Sequence, residues 1–219
     1  YCVDRSWTIP HFEKMLYDQA LLLMSFSRAY RLTGEPRYRR AVEDTAELLQ
    51  MRFLTNNLYA SGIDADTDHE EGKSYLWEPD ELSELLGPEG LELLENYFES
   101  VGQGNFEGKL HLVATEDPAE NAELRPLLET LRRERGKRRQ PDRDDKVIMS
   151  WNALAAAALV EAWRATGKLS YLDRASSIRE ELLTRNNGEG GLSHSSLAGV
   201  GSQSEAFLED YAYLLLLET

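Results

Sequence analysis

A mainly α fold of repeated helical hairpins follows from three features of the sequence. Apolar residues recur at helical spacing over 11–53 and 150–186, each segment is broken once at a Thr-Gly pair, and an offset of 133 residues carries the first segment onto the second. The offset takes Thr33-Gly34 to Thr166-Gly167, Tyr38 to Tyr171, Ala29 to Ala162 and Gln19-Ala20 to Asn152-Ala153. At 219 residues, 42% hydrophobic and 29% charged, the chain can bury one sizeable core.

The first hairpin, 11–53, turns at Thr33-Gly34-Glu35-Pro36, where Gly ends one helix and Pro suits the first turn of the next. Read as a helix from His11, its start places His11, Lys14 and Asp18 on one stripe that becomes apolar at Leu22 and Phe26, with Glu13 and Tyr17 on the opposite side. A solvated face stays polar along its length, so this start is predicted to border a cavity mouth or a buried network. An insertion over 57–77 follows, in which Leu58–Ser61 and Ser74–Trp77 are predicted to pair as a β-hairpin with the acidic run Asp64–Glu71 at its tip. Within 79–146, Pro79 and Pro88 start short helices, Leu110–Val113 reads as a strand, and 118–135 is helical with Leu124, Leu127, Leu128 and Leu131 on one face. The second hairpin, 150–186, carries the run Ala153–Ala158, small enough for helices to approach closely. A third begins over 205–219, where Asp210 and Ala212 fall on Asp18 and Ala20 at an offset of 192.

Charge narrows the function. Lys and Arg total 24 against 39 Asp and Glu, and a net charge of −15 repels polyanions, so no nucleic-acid partner is expected. The basic run Arg132–Arg143 reads as a solvated helix end and loop. Cys2 is the single cysteine, which excludes an internal disulfide and a Cys-x-x-Cys redox centre. No apolar run approaches the ~20 residues that span a bilayer, so no membrane partner is expected and a cytoplasmic setting is the default.

The run Asp4-x-x-Trp7-x-x-Pro10-His11-Phe12-Glu13-Lys14-Met15-Leu16-Tyr17-Asp18-Gln19-Ala20 resembles the signature of the thioredoxin-domain-containing proteins that include the spermatogenesis-associated member. Asp64-Ala65-Asp66, Glu71–Trp77, Gly104–Lys109, Asp144–Asn152 and Phe207–Ala212 agree with that family in order. The resemblance implies a thioredoxin-like domain followed by a six-hairpin (α/α)6 toroid, of which this chain is part, with a small β-hairpin insertion. The thioredoxin-like domain is expected upstream of Tyr1, as a partner in the same full-length chain. Such toroids also serve glycosidases and sugar epimerases, so a carbohydrate ligand is expected, processed or simply bound. The alternative is a noncatalytic module that binds a partner or positions the thioredoxin-like domain.

In a ring of hairpins, helix beginnings gather at one pole. Acid–base sugar chemistry needs opposed carboxylates or a base beside a carbonyl, which makes His11, Asp18, Asp64, Asp66 and Asp210 the catalytic candidates. Trp7, Glu13, Lys14, Tyr17, Asp145, Trp151 and Asn152 are candidates for holding substrate, the aromatics by stacking on a sugar ring. His194 stands in the Gly/Ser-rich stretch 187–204, where another hairpin would begin, and reads first as a loop residue and second as a base for proton abstraction. The run Asp64–Gly72 has the alternating carboxylates of a calcium loop, but His69 replaces the turn glycine and Tyr75 the closing Glu, so neither metal nor cofactor is expected. The loop Gly102–Gly108 follows no clear strand and is a poor nucleotide fingerprint.

Overall fold

A computed structural model describes residues 2–99, 104–115, 117–118, 121–186, 191–197 and 201–218. It divides into two compact units: an arc unit of residues 14–63 and 143–219, and a mixed unit of residues 1–13 and 64–142. Seven α-helices are present among the described residues: α1 (Leu16–Thr33), α2 (Pro36–Leu48), α3 (Pro79–Glu95), α4 (Leu124–Lys137), α5 (Met149–Thr166), α6 (Leu169–Asn186) and α7 (Leu208–Glu218).

In the arc unit α1 packs on α2 and α5, and α5 packs on α6 and α7. Helices α1, α5 and α7 thus form one layer, with α2 and α6 outside it, which is a sector of an α/α toroid. Central α5 is buried almost all round, and its Ala153, Ala155, Ala156, Ala158 and Ala162 let three helices close on it. The repeat holds residue for residue. At the 133-residue offset Leu16 meets Met149 at the helix starts and Thr33 meets Thr166 at the ends, and Pro36 meets Leu169 where the second helices begin. Gly34 and Gly167, at φ 71° and 74°, close the first helices in the left-handed conformation that glycine adopts without steric cost. The 192-residue offset carries Leu16 to Leu208, the first residue of α7.

Two expectations of local structure need correction. The first helix starts at Leu16, not His11: Lys14–Met15 pair antiparallel with Gly62–Ile63, which pair in turn with Arg143–Asp144, and the Leu16 N–H donates to the Ser61 carbonyl. Long-range pairing therefore overrides helical periodicity, and the stripe of His11, Lys14 and Asp18 does not form on a helix. Leu58–Tyr59 pairs not with Ser74–Trp77 but with Leu54–Thr55, around Asn56 and Asn57 at φ 45° and 67°. The acidic run makes its own hairpin, Asp66–Thr67 with Glu70–Glu71, around Asp68 and His69 at φ 55° and 66°. Both two-residue loops have positive φ at both positions, which matches the twist of the flanking strands and which Asn, Asp and His tolerate better than most residues.

The mixed unit has its own core of Trp77, Leu82, Leu94, Phe98, Leu110, Leu124 and Leu131. Helix α3 is two pieces merged across Gly87 (φ 66°), and Pro88 restarts the second. Part of the basic run is a clamp: Arg138 donates to both oxygens of Glu81 at 2.8 and 2.7 Å and to the Leu76 carbonyl at 2.6 Å, and lies 4.1 Å over the Trp77 ring. No helix among the described residues is long and apolar enough to cross a membrane.

Candidate functional site

Most predicted site residues are committed to local structure. In the mixed unit, His11 lies between two exposed carboxylates, Glu13 at 3.3 Å and Glu71 at 3.6 Å. Trp7 is 78% exposed, on a loop closed by Asp4, whose carboxylate accepts N–H bonds from Ser6, Thr8 and Ile9. Those bonds, Ile9 foremost, hold the Asp4 carboxyl at about 2. Asp64 accepts the Asp66 N–H, and both side chains are exposed. Further along the acidic run, Asp68 pairs with Lys73 and Arg139, and Glu70 with Lys109 and Lys73. The run is therefore matched by basic side chains of its own unit. Of the loop Gly102–Gly108, residues 102 and 103 lie outside the described residues, and Asn105 exchanges two hydrogen bonds with the His111 backbone.

In the arc unit, Asp18 is exposed in the first turn of α1, Lys14 is half-buried, and Asp145 pairs with Arg143 at 2.6 Å. Tyr17 and Trp151, from the starts of α1 and α5, meet edge to face at 4.9 Å. Asn152 is fully buried: its Oδ1 accepts the Tyr59 N–H at 2.7 Å, and its Nδ2 donates to the carbonyls of Tyr59 and Ile148 at 3.0 Å each. That amide fastens the 54–59 hairpin to α5, with both of its donors spent on backbone carbonyls.

Asp210 stands apart. Fully buried near the start of α7, its carboxylate accepts the Phe207 N–H at 2.8 Å, the reciprocal half of a capping box, and the Ser150 N–H at 2.9 Å. One carboxylate thus satisfies orphan donors at the beginnings of both α5 and α7, where helix dipoles favour negative charge. Its Oδ2 also lies 2.9 Å from His194 Nδ1. A carboxylate occupied by backbone donors acts as acceptor, so the tautomer of the neutral ring that fits this contact has its proton on Nδ1 and its lone pair on Nε2. The His194 side chain is 19% exposed, lies against the Phe207 ring at 4.6 Å with the two planes tilted by 59°, and has no partner for Nε2 among the described residues. Among the described residues, its carboxylate partner is fully buried, whereas those of His11 are exposed.

His194 lies on the strand Ser193–Leu197, which pairs with Val147–Ile148 on one side and Gly201–Glu205 on the other. A cavity of about 270 Å³ runs along this sheet, lined by Val147, Met149, Leu182 and the serines 193, 195 and 196. His194, Glu209 and Asp210 each bring a metal-ligating atom within 4.8 Å of the others, yet both Asp210 oxygens are already engaged. The arrangement suits holding an imidazole better than a cation. Sequence reading ranked His194 below His11 as a base because a serine-rich segment has weak strand signals, and nothing local ties it to Asp210.

A sector of an α/α toroid, with a histidine–aspartate pair at the amino-terminal end of its inner helices, is the class that this fold and site define. No family model matches the chain. Over 98% of its length it is 30% identical to an uncharacterized protein of Caenorhabditis elegans and 30% identical to spermatogenesis-associated protein 20 of Mus musculus. Spermatogenesis-associated protein 20 is thus a homologue, and the chain spans about a third of the length of these relatives, 36% and 33%. Among solved structures, cellobiose 2-epimerase from Bacillus thermoamylovorans aligns with 94% of the chain and 72% of its own length, at 11% identity and TM-score 0.30. A D-mannose isomerase aligns with 87% of the chain and 46% of its own length, at 16% identity and TM-score 0.27.

Proposed function

We propose that the chain is the carbohydrate-handling part of a toroid, with His194 as proton carrier and Asp210 as the residue that orients it. The observation that carries this reading is the 2.9 Å contact between a partly exposed imidazole and a fully buried carboxylate. In an open-chain aldose, Nε2 would take the proton from the carbon next to the carbonyl, leaving an enediolate. If the enediolate turns its other face to Nε2 before the proton returns to the same carbon the product is the epimer, and if the proton goes to C1 while the O2 proton moves to O1 the product is the ketose. Serine hydroxyls along the adjacent sheet and the Tyr17–Trp151 pair supply the polar and stacking surfaces that sugars use. Asp18, exposed one helix away, is the second carboxylate in this reading.

The test is a sugar and sugar-phosphate library screened by thermal shift on the full chain, followed by deuterium uptake at C2 of any hit in D₂O. His194→Ala should abolish uptake while retaining the thermal shift. If no sugar moves the midpoint and no label enters, the carbohydrate reading is lost. A second reading, a noncatalytic module serving a thioredoxin-like domain, is favoured by the double cap that Asp210 makes. It predicts sugar-independent binding to that domain, unaffected by His194→Ala.

A further inference from the structure

At the other end of α1 and α5, far along both helices from Asp210, stands a charge imbalance. Glu161, with only 13% of its side chain exposed, is met by Arg31 at 3.1 Å, Arg164 at 3.0 Å and Arg28 at 4.0 Å. One basic group near each helix end would complement the dipoles. Three guanidinium groups on one carboxylate leave two positive charges in excess, against roughly half a negative charge at each of the two helix ends, in a chain whose net charge is −15. About half or more of each arginine side chain is exposed: 60% for Arg28, 48% for Arg31 and 50% for Arg164. Beside them a cavity of about 190 Å³ is bordered by Arg28, Glu161 and Arg164 and walled by Met24, Ala157, Val160 and Leu217. Basic groups therefore stand at the rim of an apolar hole.

We propose that this end of α1 and α5 binds a small amphiphilic anion, its carboxylate held by Arg28 and Arg164 and its apolar body seated against Met24, Val160 and Leu217. An apolar cavity of about 150 Å³ is enough for a benzene ring, so the size fits a six-carbon body. Guanidinium is the side chain best matched to a carboxylate, because its planar fork can donate two parallel bonds. The site shares no residue with the His194–Asp210 pair, and the inference stands apart from the carbohydrate reading.

Calorimetric titration of the full chain at low salt with benzoate, benzyl alcohol and inorganic phosphate separates the components. Benzoate should bind roughly tenfold tighter than either of the others, since each lacks one half of the ligand. Arg164→Gln should remove most of that advantage, and Ala157→Phe, which fills the hole, should abolish benzoate binding. Methyl resonances of Val160 and Leu217 in the unsubstituted chain should shift with benzoate, a readout that holds even where Ala157→Phe does not fold. Equal binding of benzyl alcohol would mean an apolar hole alone. Equal binding of phosphate would mean a diffuse basic patch, and absence of benzoate binding would end the proposal.

Discussion

Asp18 and Asp210 occupy the same place in two repeats, the third residue of an inner helix, yet one is exposed and the other fully buried. The repeat sets the backbone position and the neighbours decide the chemistry. Around Asp210 the beginning of α5 and the strand Ser193–Leu197 supply a backbone N–H and an imidazole. At Asp18 the α1 start is held instead through its backbone, by the Ser61 carbonyl and the pairing of Lys14–Met15. A carboxylate that organises two helix beginnings and one that faces solvent are different objects, even when pattern alone equates them.

The largest expected effect comes from erasing the buried member. Asp210→Ala strands two backbone N–H groups and the His194 imidazole, and should cost about 3 kcal/mol or more in urea unfolding, whereas Asp18→Ala should stay within about 0.5 kcal/mol. Equal losses at the two positions would break the contrast. Asn152→Ala, which removes three buried hydrogen bonds at the corresponding end of α5, should cost about 2 kcal/mol and speed amide exchange at Tyr59. Gly34→Ala and Gly167→Ala force a side chain into the left-handed region and should each cost about 1 kcal/mol, with similar values because the two turns are alike.

The smallest effect concerns the surface tie between repeats. Lys168 bonds Glu43 at 2.9 Å and, with help from Arg39, holds its carboxyl below the usual glutamate value. A depressed carboxyl contributes stability that is complete above its ordinary pKa of 4.5 and fades as pH falls through the lower folded value. Both side chains are more than 30% exposed, so the contribution is about 0.5 kcal/mol at most. Glu43→Gln should therefore lower stability slightly at neutral pH and converge with the parent in acid, as read from paired unfolding curves. The Asp4 loop offers a sharper readout: amide shifts of Ser6, Thr8 and Ile9 should titrate together with a midpoint near 2.

Helices were legible because their signals are local. Thr-Gly at both first-helix ends and the 133-residue offset located α1, α2, α5 and α6, and the offset of 192 located α7. The small sheets were less legible. Strands of two residues carry no periodicity, and their partners depend on turns such as Asn56-Asn57 and on pairings across the chain such as Gly62 with Asp144. His11 looked like a helix residue because nothing local announces that Lys14–Met15 will be held by Gly62–Ile63. Asp210 stood out as an acid at a helix start, but its double capping and its tie to His194 depend on Ser150 and on a strand that sequence pattern read as a loop.

The side chain of Asn152 bonds Tyr59 across a separation of 93 residues. In terms of the order of synthesis, the 54–59 hairpin leaves the ribosome well before the amide that fastens it, so its own turn must hold it meanwhile. A two-stranded ribbon of that length is marginal alone. Its final locking therefore belongs to the step in which α5 docks on α1, and pulse-labelled exchange should show the Tyr59 amide gaining protection together with α5 rather than before it.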